Sequence, residues 1–267
     1  MNTHINVERS RLLLLPVLVL VLDALSSSAL GALPQTPGIW CDRTSAHAIS
    51  KERVSRLEQS LRRITGFDSL YFASDGSLSI GDAAGSTGGA EAARQILRGA
   101  LNSGNAFVIE DDSGSDSIQF GQITEFAVSI DGDGRRLDVW LVRLDFDDFY
   151  AVQAPAEIRA SFDEGFILLH ELLHGLGCSD AAREGELGDC EIVLNRARSE
   201  LGLPLRDEYF GIGTHLGIGL TCVRLKFKVQ SRNEARQKYH SRYLYFMLRH
   251  APESSDGVNS AARVRKN

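Results

Sequence analysis

Apolar residues recur at helical spacing between residues 46 and 64, where Val54, Leu57, Leu61 and Ile64 share one face of a predicted amphipathic helix. From 70 to 80 the pattern turns to short alternating runs around Ser74-Asp75-Gly76, which predicts a hairpin. A second helix is predicted over 91–101. Strand-like runs follow at 106–110, 117–123, 126–130 and 137–146, separated by Asp-, Ser- and Gly-rich turns at 111–114 and 131–134. The next segment is different. Phe162, Phe166, Ile167, Leu169, Leu172, Leu173 and Leu176 surround most of a helical circumference, and a helix apolar nearly all round is a buried one. Ser161-Phe162-Asp163-Glu164 has the form of a capping box, which puts the start of that helix near Ser161. Another helix after Asp180 is closed by Gly202 and Pro204, and 222–230 with 241–248 read as a final hairpin. Helices beside a mixed sheet, closed by a C-terminal β-hairpin, define an α+β chain without internal repeats.

The first residues break from this pattern. Arg9 and Arg11 precede an apolar run from Leu12 to Leu22, and small residues follow from Ser26 to Ala32. That order predicts a signal peptide over residues 1–31, cleaved near Gly31 or Ala32. The run is too short to span a bilayer comfortably. The expectation is one domain, 32–267, that is secreted or periplasmic and has no membrane span after cleavage. Four cysteines in an exported chain suggest two disulfides among three possible pairings, and Cys178–Cys190 with Cys41–Cys222 is the favoured set.

A hydrophobic content of 43% and a charged content of 24% exclude a disordered chain. The net charge of −6 is uneven: residues 223–267 hold eleven Lys/Arg against three Asp/Glu. Alternating charges on an exposed hairpin account for this basic end, and no nucleic-acid motif accompanies it. The aspartates at 111–112 and 131–133 complete no Ca²⁺ loop and read as turn residues.

The candidate chemistry lies in the buried helix, in His170-Glu171-Leu172-Leu173-His174. On a helix His170 and His174 stand one turn apart, roughly 6 Å along the axis, and face the same way. Two imidazoles so placed can share one tetrahedral Zn²⁺. Glu171 sits beside the metal without ligating it and can take a proton from the attacking water, the general-base role in a metalloprotease. Core histidines bonded to backbone carbonyls are the bland alternative. It leaves two imidazoles and a carboxylate desolvated in an apolar helix. Gly177 and Asp180 extend the motif to HExxHxxGxxD. Downstream acids Glu184, Glu186, Asp189 and Glu191 also offer carboxylates, with helix capping as their ordinary role.

HExxHxxGxxD resembles the metzincin clan of zinc peptidases, whose usual last residue is His, and is most similar to the Asp variant of the snapalysin family. The resemblance implies a zincin-like catalytic domain in which the Gly turns the chain out of the helix. It also implies that His170, His174 and Asp180 are metal ligands and Glu171 the base. The clan's methionine turn is not matched, since Met247 is the only internal Met and lies in a predicted strand. A second segment, Asn195 to Tyr209, is similar to the pattern N-x-x-R-x-E-L-G-L-P-x-R-x-x-Y that follows the HExxH helix in bacterial toxin- or effector-associated metallopeptidase domains. That likeness keeps Glu186 open as an alternative third ligand. It also raises Arg206 and Tyr209 as cleft residues, with solvated loop positions as the alternative. Near-terminal cysteines cap the zinc of some latent metzincins, a role Cys41 could play. His215 is a candidate transition-state donor or an exposed loop histidine. Leu137–Leu144 is the candidate edge strand that would add an extended peptide by main-chain hydrogen bonds.

Together these readings predict a secreted zinc-dependent endopeptidase with one catalytic Zn²⁺, Glu171 as base and a protein or peptide substrate. Two alternatives remain: another zinc-dependent amide hydrolase, and a non-catalytic secreted zinc-binding protein. The latter has no use for Glu171, because a structural site closes its fourth position with protein.

Overall fold

The computed structural model describes residues 33–81, 86–115, 119–130, 133–217, 220–230 and 239–249. The expected signal peptide lies outside the described residues. Among them, no helix is long and apolar enough to cross a membrane.

The chain is α+β. Strand β1 (Gly38–Cys41) leads to α1 (Lys51–Thr65), the hairpin β2 (Leu70–Phe72) and β3 (Leu78–Ile80), and α2 (Glu91–Asn102). Then come β4 (Ala106–Asp111), β5 (Gly121–Ile130), β6 (Arg136–Leu144) and two short helices, α3 (Phe146–Ala151) and α4 (Ala156–Ala160). The central helix α5 (Glu164–Gly175) is followed by α6 (Asp189–Glu200). Four strands close the described chain: β7 (Leu205–Arg206), β8 (Ile212–Gly217), β9 (Leu220–Gln230) and β10 (Tyr239–Arg249).

The first sheet has the order β1-β4-β6-β5. β1, β4 and β6 are mutually parallel, and β5 runs antiparallel to β6. Two sequence expectations change here. The runs at 117–123 and 126–130 belong to one strand, β5, whose register shifts between Glu125 and Ala127. A bulge accommodates the residue that breaks the alternation. Residues 137–144, expected at the edge, lie in β6 between β4 and β5. Leu141 and Val142 are both buried, so β6 is covered on both faces, as an interior strand must be. The edges are β1 and β5, and β5 exposes Phe126, Val128 and Ile130.

The second sheet has the order β10-β9-β7, with β8 also on β9. The predicted C-terminal hairpin is its β9–β10 ladder. One face buries Val223, Leu225, Phe227, Leu244 and Phe246. Met247 points the other way and is 44% exposed, so it is a surface strand residue and not a packed one. On the same outer face Lys226 and Lys228 pair with Asp207, and Lys226 also meets Glu208, which offsets part of the basic end.

Helix α5 packs against β5 and β6 of the first sheet and against α1, α2 and α6. It buries nine consecutive residues, Gly165 to Leu173, as expected of a helix apolar on every side. Its start differs from the predicted box: Asp163 is the N-cap and accepts from the Phe166 N–H at 3.2 Å. Ser161 instead closes α4, its hydroxyl donating to the carbonyls of Glu157 and Ile158. Asp163 wins because its carboxylate also accepts from Ser60 at 2.7 Å and from Arg63 at 2.5 Å, tying α5 to α1. An aromatic cluster joins α5's entry to both sheets, with Phe120 in edge-to-face contact with Phe149, Phe162 and Phe246. Such pairs are each worth ~0.5–1.5 kcal/mol beyond area burial.

Candidate metal centre

The exit from α5 builds the site. Gly177 takes φ = 90°, its N–H donates to the His174 carbonyl at 2.9 Å, and the Cys178 N–H donates to the Leu173 carbonyl at 3.0 Å. These two bonds define a Schellman turn, which needs a left-handed residue where Gly177 stands. The turn does two things at once. It swings Asp180 back toward the helix, and it brings the Cys178 carbonyl to 3.2 Å from His174 Nδ1. A proton on Nδ1 satisfies that carbonyl and leaves Nε2 with a lone pair facing the site. Gly188, the N-cap of α6, holds the returning loop: a Cβ there would stand 2.3 Å from Ala181 N and 2.4 Å from the Asp180 carbonyl carbon.

Three ligand atoms converge. His170 Nε2 and His174 Nε2 are 3.1 Å apart, and Asp180 Oδ1 lies 3.2 Å from the first and 3.3 Å from the second. Ligands on a tetrahedral ion at ~2.0–2.1 Å stand about 3.3 Å from one another, so the donor set fits zinc in kind and spacing. Of the three, Asp180 Oδ1 is buried and has no aligned hydrogen bond. Among the described residues these three side chains form the group of His, Cys, Asp and Glu able to hold a metal. Burial opposes ionisation of Asp180, but the two imidazoles and the Tyr209 hydroxyl hold its carboxyl well below the usual range. The same carboxylate raises His174 against the effect of burial.

Glu171 is 7% exposed and lies beside the triad. Burial pushes its carboxyl above the ordinary value, while His170, His174 and the Ile123 N–H of β5 pull it down. The Ile123 contact ties Glu171 to the edge strand β5. A cleft of about 500 Å³ opens over His170 and Glu171, with Phe120, Ile167, Tyr209 and Phe246 in its walls.

The segment 195–209 forms the rear wall. Asn195 clamps the backbone of Arg206, accepting from its N–H at 2.9 Å and donating to its carbonyl at 2.8 Å. Arg198 is fully buried and pairs with Glu191. Glu200 accepts from the Ala92 N–H at 3.2 Å, a cap for α2, whose own N-cap Ala90 makes no side-chain bond. Arg206 is 8% exposed, and its guanidinium donates to the Tyr209 carbonyl at 2.6 Å. Tyr209 then stacks on His170 at 5.8 Å between centroids. Burial, then Asp180, pushes its hydroxyl well above the usual tyrosine range. Arg206 and Tyr209 are thus cleft residues and not solvated ones.

Other candidates fall elsewhere. Glu186 is exposed in the loop before α6, where its backbone bonds Arg183 and Tyr209, and it does not join the triad. The acid that α6 does send to the site is Glu191, 1% exposed, with Oε2 3.7 Å from His170 Nδ1. In the sequence it is one of several acids that follow Asp180. Its signal was Arg198 two turns ahead on the same helix, a cation that burial obliges to find an acid. Burial pushes Glu191 up, but Arg198 and Arg206 hold it below the ordinary carboxylate value. His215 is exposed on β8, 2.8 Å from Thr221 Oγ1, and does not line the cleft.

The expected disulfides are not formed: all four cysteines are free. Cys41 lies in the core on β1, and Cys222 lies on the less buried face of β9, in a different sheet. Cys178 and Cys190 are neighbours, and Cys190 Sγ is 3.6 Å from His174 Nδ1. Cys41 is not part of the triad, and burial pushes its thiol far up, which disfavours the thiolate a zinc cap needs.

No known family, no curated protein and no solved structure matches this chain.

Proposed function

We propose that this chain is a zinc-dependent endopeptidase that works outside the cytoplasm, with a zincin-like catalytic domain. The observation that carries the reading is the triad of His170 Nε2, His174 Nε2 and Asp180 Oδ1 at 3.1–3.3 Å with buried Glu171 beside it. When bound there, Zn²⁺ would supply Lewis acidity toward a substrate carbonyl and acidify a water.

The protein's own groups perform the rest. Glu171, raised by burial, is a stronger base than an exposed glutamate: it accepts the proton of the attacking water and returns it to the leaving amine. An extended peptide can lie along the outer edge of β5, where backbone groups beyond Ile123 offer main-chain hydrogen bonds. The apolar walls at Phe120, Ile167 and Phe246 exclude water and suit an apolar substrate side chain. Tyr209 holds its hydroxyl toward Asp180 at the cleft wall, where it can donate to the oxygen that gains charge as the carbonyl is attacked.

The reading is tested by metal content and casein hydrolysis of the full chain. One zinc per chain and cleavage that stops with a chelator and returns with zinc is the expected result; carefully prepared protein that takes up no zinc refutes it. Tyr209→Phe is expected to retain zinc and lose roughly 10²–10³ in kcat, the usual cost of one oxyanion donor. Steady-state kinetics on a fluorogenic peptide separate that loss from a change in KM.

A further inference from the structure

Glu191 makes more contacts than one ion pair requires. Its Oε1 meets Arg198, which also donates to the Ser161 carbonyl at 2.9 Å and to Asn195 Oδ1 at 3.0 Å. Its Oε2 lies 3.7 Å from Arg206 Nη1 and 3.7 Å from His170 Nδ1. Arg206 in turn bonds the carbonyls of Glu208 and Tyr209, and the Tyr209 ring lies against His170. The contacts close a ring: Glu191, Arg206, Tyr209, His170 and back to Glu191.

We propose that Glu191 is a positioning residue of the metal centre, setting the ring orientation and Nδ1–H tautomer of His170 and, through Arg206, the seat of Tyr209. This inference rests on the zinc reading above. His174 has its Nδ1 directed by the Cys178 carbonyl, supplied by the Schellman turn. His170, one turn earlier, sits inside the helix and has no such turn to use. Instead a carboxylate from the neighbouring helix α6 faces its Nδ1 at 3.7 Å, an electrostatic contact longer than a hydrogen bond. The energetics favour this over a purely stabilising pair. Burying Glu191 and Arg198, each 1% exposed, carries a desolvation penalty that their attraction must first offset, and apolar side chains of similar volume often serve stability as well. An acid whose second oxygen faces a ligand imidazole earns its place by direction.

The test uses the full chain as wild type, Glu191→Gln and Arg198→Lys. Zinc affinity is read by competition with a chromophoric chelator, and the fold of each metal-free protein by circular dichroism. Positioning predicts that Glu191→Gln stays folded and binds zinc ten- to a hundredfold more weakly, the usual loss for an outer partner of a ligand histidine. It predicts that Arg198→Lys melts earlier but keeps wild-type zinc affinity. Tight zinc binding by wild type with an equal affinity in Glu191→Gln overturns the role of Glu191 and leaves the metal centre intact; failure of wild type to bind zinc overturns both. Should Glu191→Gln not fold, the His170 Nδ1–H resonance of the zinc-loaded wild type decides. A strongly downfield Nδ1–H, as a proton held toward a carboxylate gives, supports the role, and an Nδ1–H at the shift of a free imidazole overturns it.

Discussion

Glu171→Gln is expected to keep one zinc per chain and to lose cleavage by roughly 10²–10⁴, the range that a general base contributes. The amide fills the same space beside Ile167 and β5 but accepts no proton at neutral pH. Because burial raises the folded carboxyl above its ordinary value, activity in the wild type should fall as pH drops through that raised value. The acidic limb of kcat/KM is therefore set by Glu171, and it is absent from the residual activity of the variant. Stability should move the other way. A carboxyl raised in the folded state is bound to its proton more tightly there than in the unfolded chain. Its penalty is absent below the unfolded value and grows as pH rises above it. Metal-free Glu171→Gln, freed of that buried charge, should melt above the metal-free wild type at pH 7. A lower melting temperature and undiminished cleavage would together remove Glu171 from the chemistry.

Asp180→Ala and Glu186→Ala decide the third ligand. Asp180→Ala should weaken zinc binding by more than the roughly 10–100-fold lost with outer partners, since a donor atom is removed outright. Each hundredfold loss subtracts about 2.7 kcal/mol from the stabilisation that excess zinc confers, so the zinc-induced rise in melting temperature should shrink or vanish. Glu186→Ala should bind zinc as wild type does, because its side chain is exposed in the loop ahead of α6. The reverse pattern would move the third ligand to Glu186. The metal-free Asp180→Ala protein should still fold, as the Schellman turn and Gly188 hold the loop by backbone contacts that do not involve the Asp180 side chain.

The parts of this site that were legible in advance depend on spacing along one element. His170 and His174 face together because a helix repeats every 3.6 residues, and Gly177 turns because only glycine takes φ = 90° there cheaply. Burial of α5 followed from the distribution of Leu and Phe around it. The helix start was misplaced by two residues because Ser161 and Asp163 both offer a capping oxygen. The choice fell to Asp163 through partners on α1, a hundred residues away in sequence. The edge strand was misassigned for a related reason: alternation tells which face of a strand is buried, not which neighbour it pairs with. Glu191 and Glu186 looked alike because both are acids on the way into α6. The buried guanidiniums of Arg198 and Arg206 separate them in space.

By itself, the sequence determined the α+β class, the buried central helix, the pair of imidazoles with their adjacent carboxylate, and the turn that returns Asp180. Each is a local property, set by periodicity, by backbone preference or by an offset of a few residues. Tertiary structure alone decided that β5 and not β6 is the edge beside Glu171, that Glu191 stands behind His170, and that Tyr209 faces His170 and Asp180. These depend on which surfaces remain to be buried once the local elements exist, a question settled by packing between segments far apart in the chain.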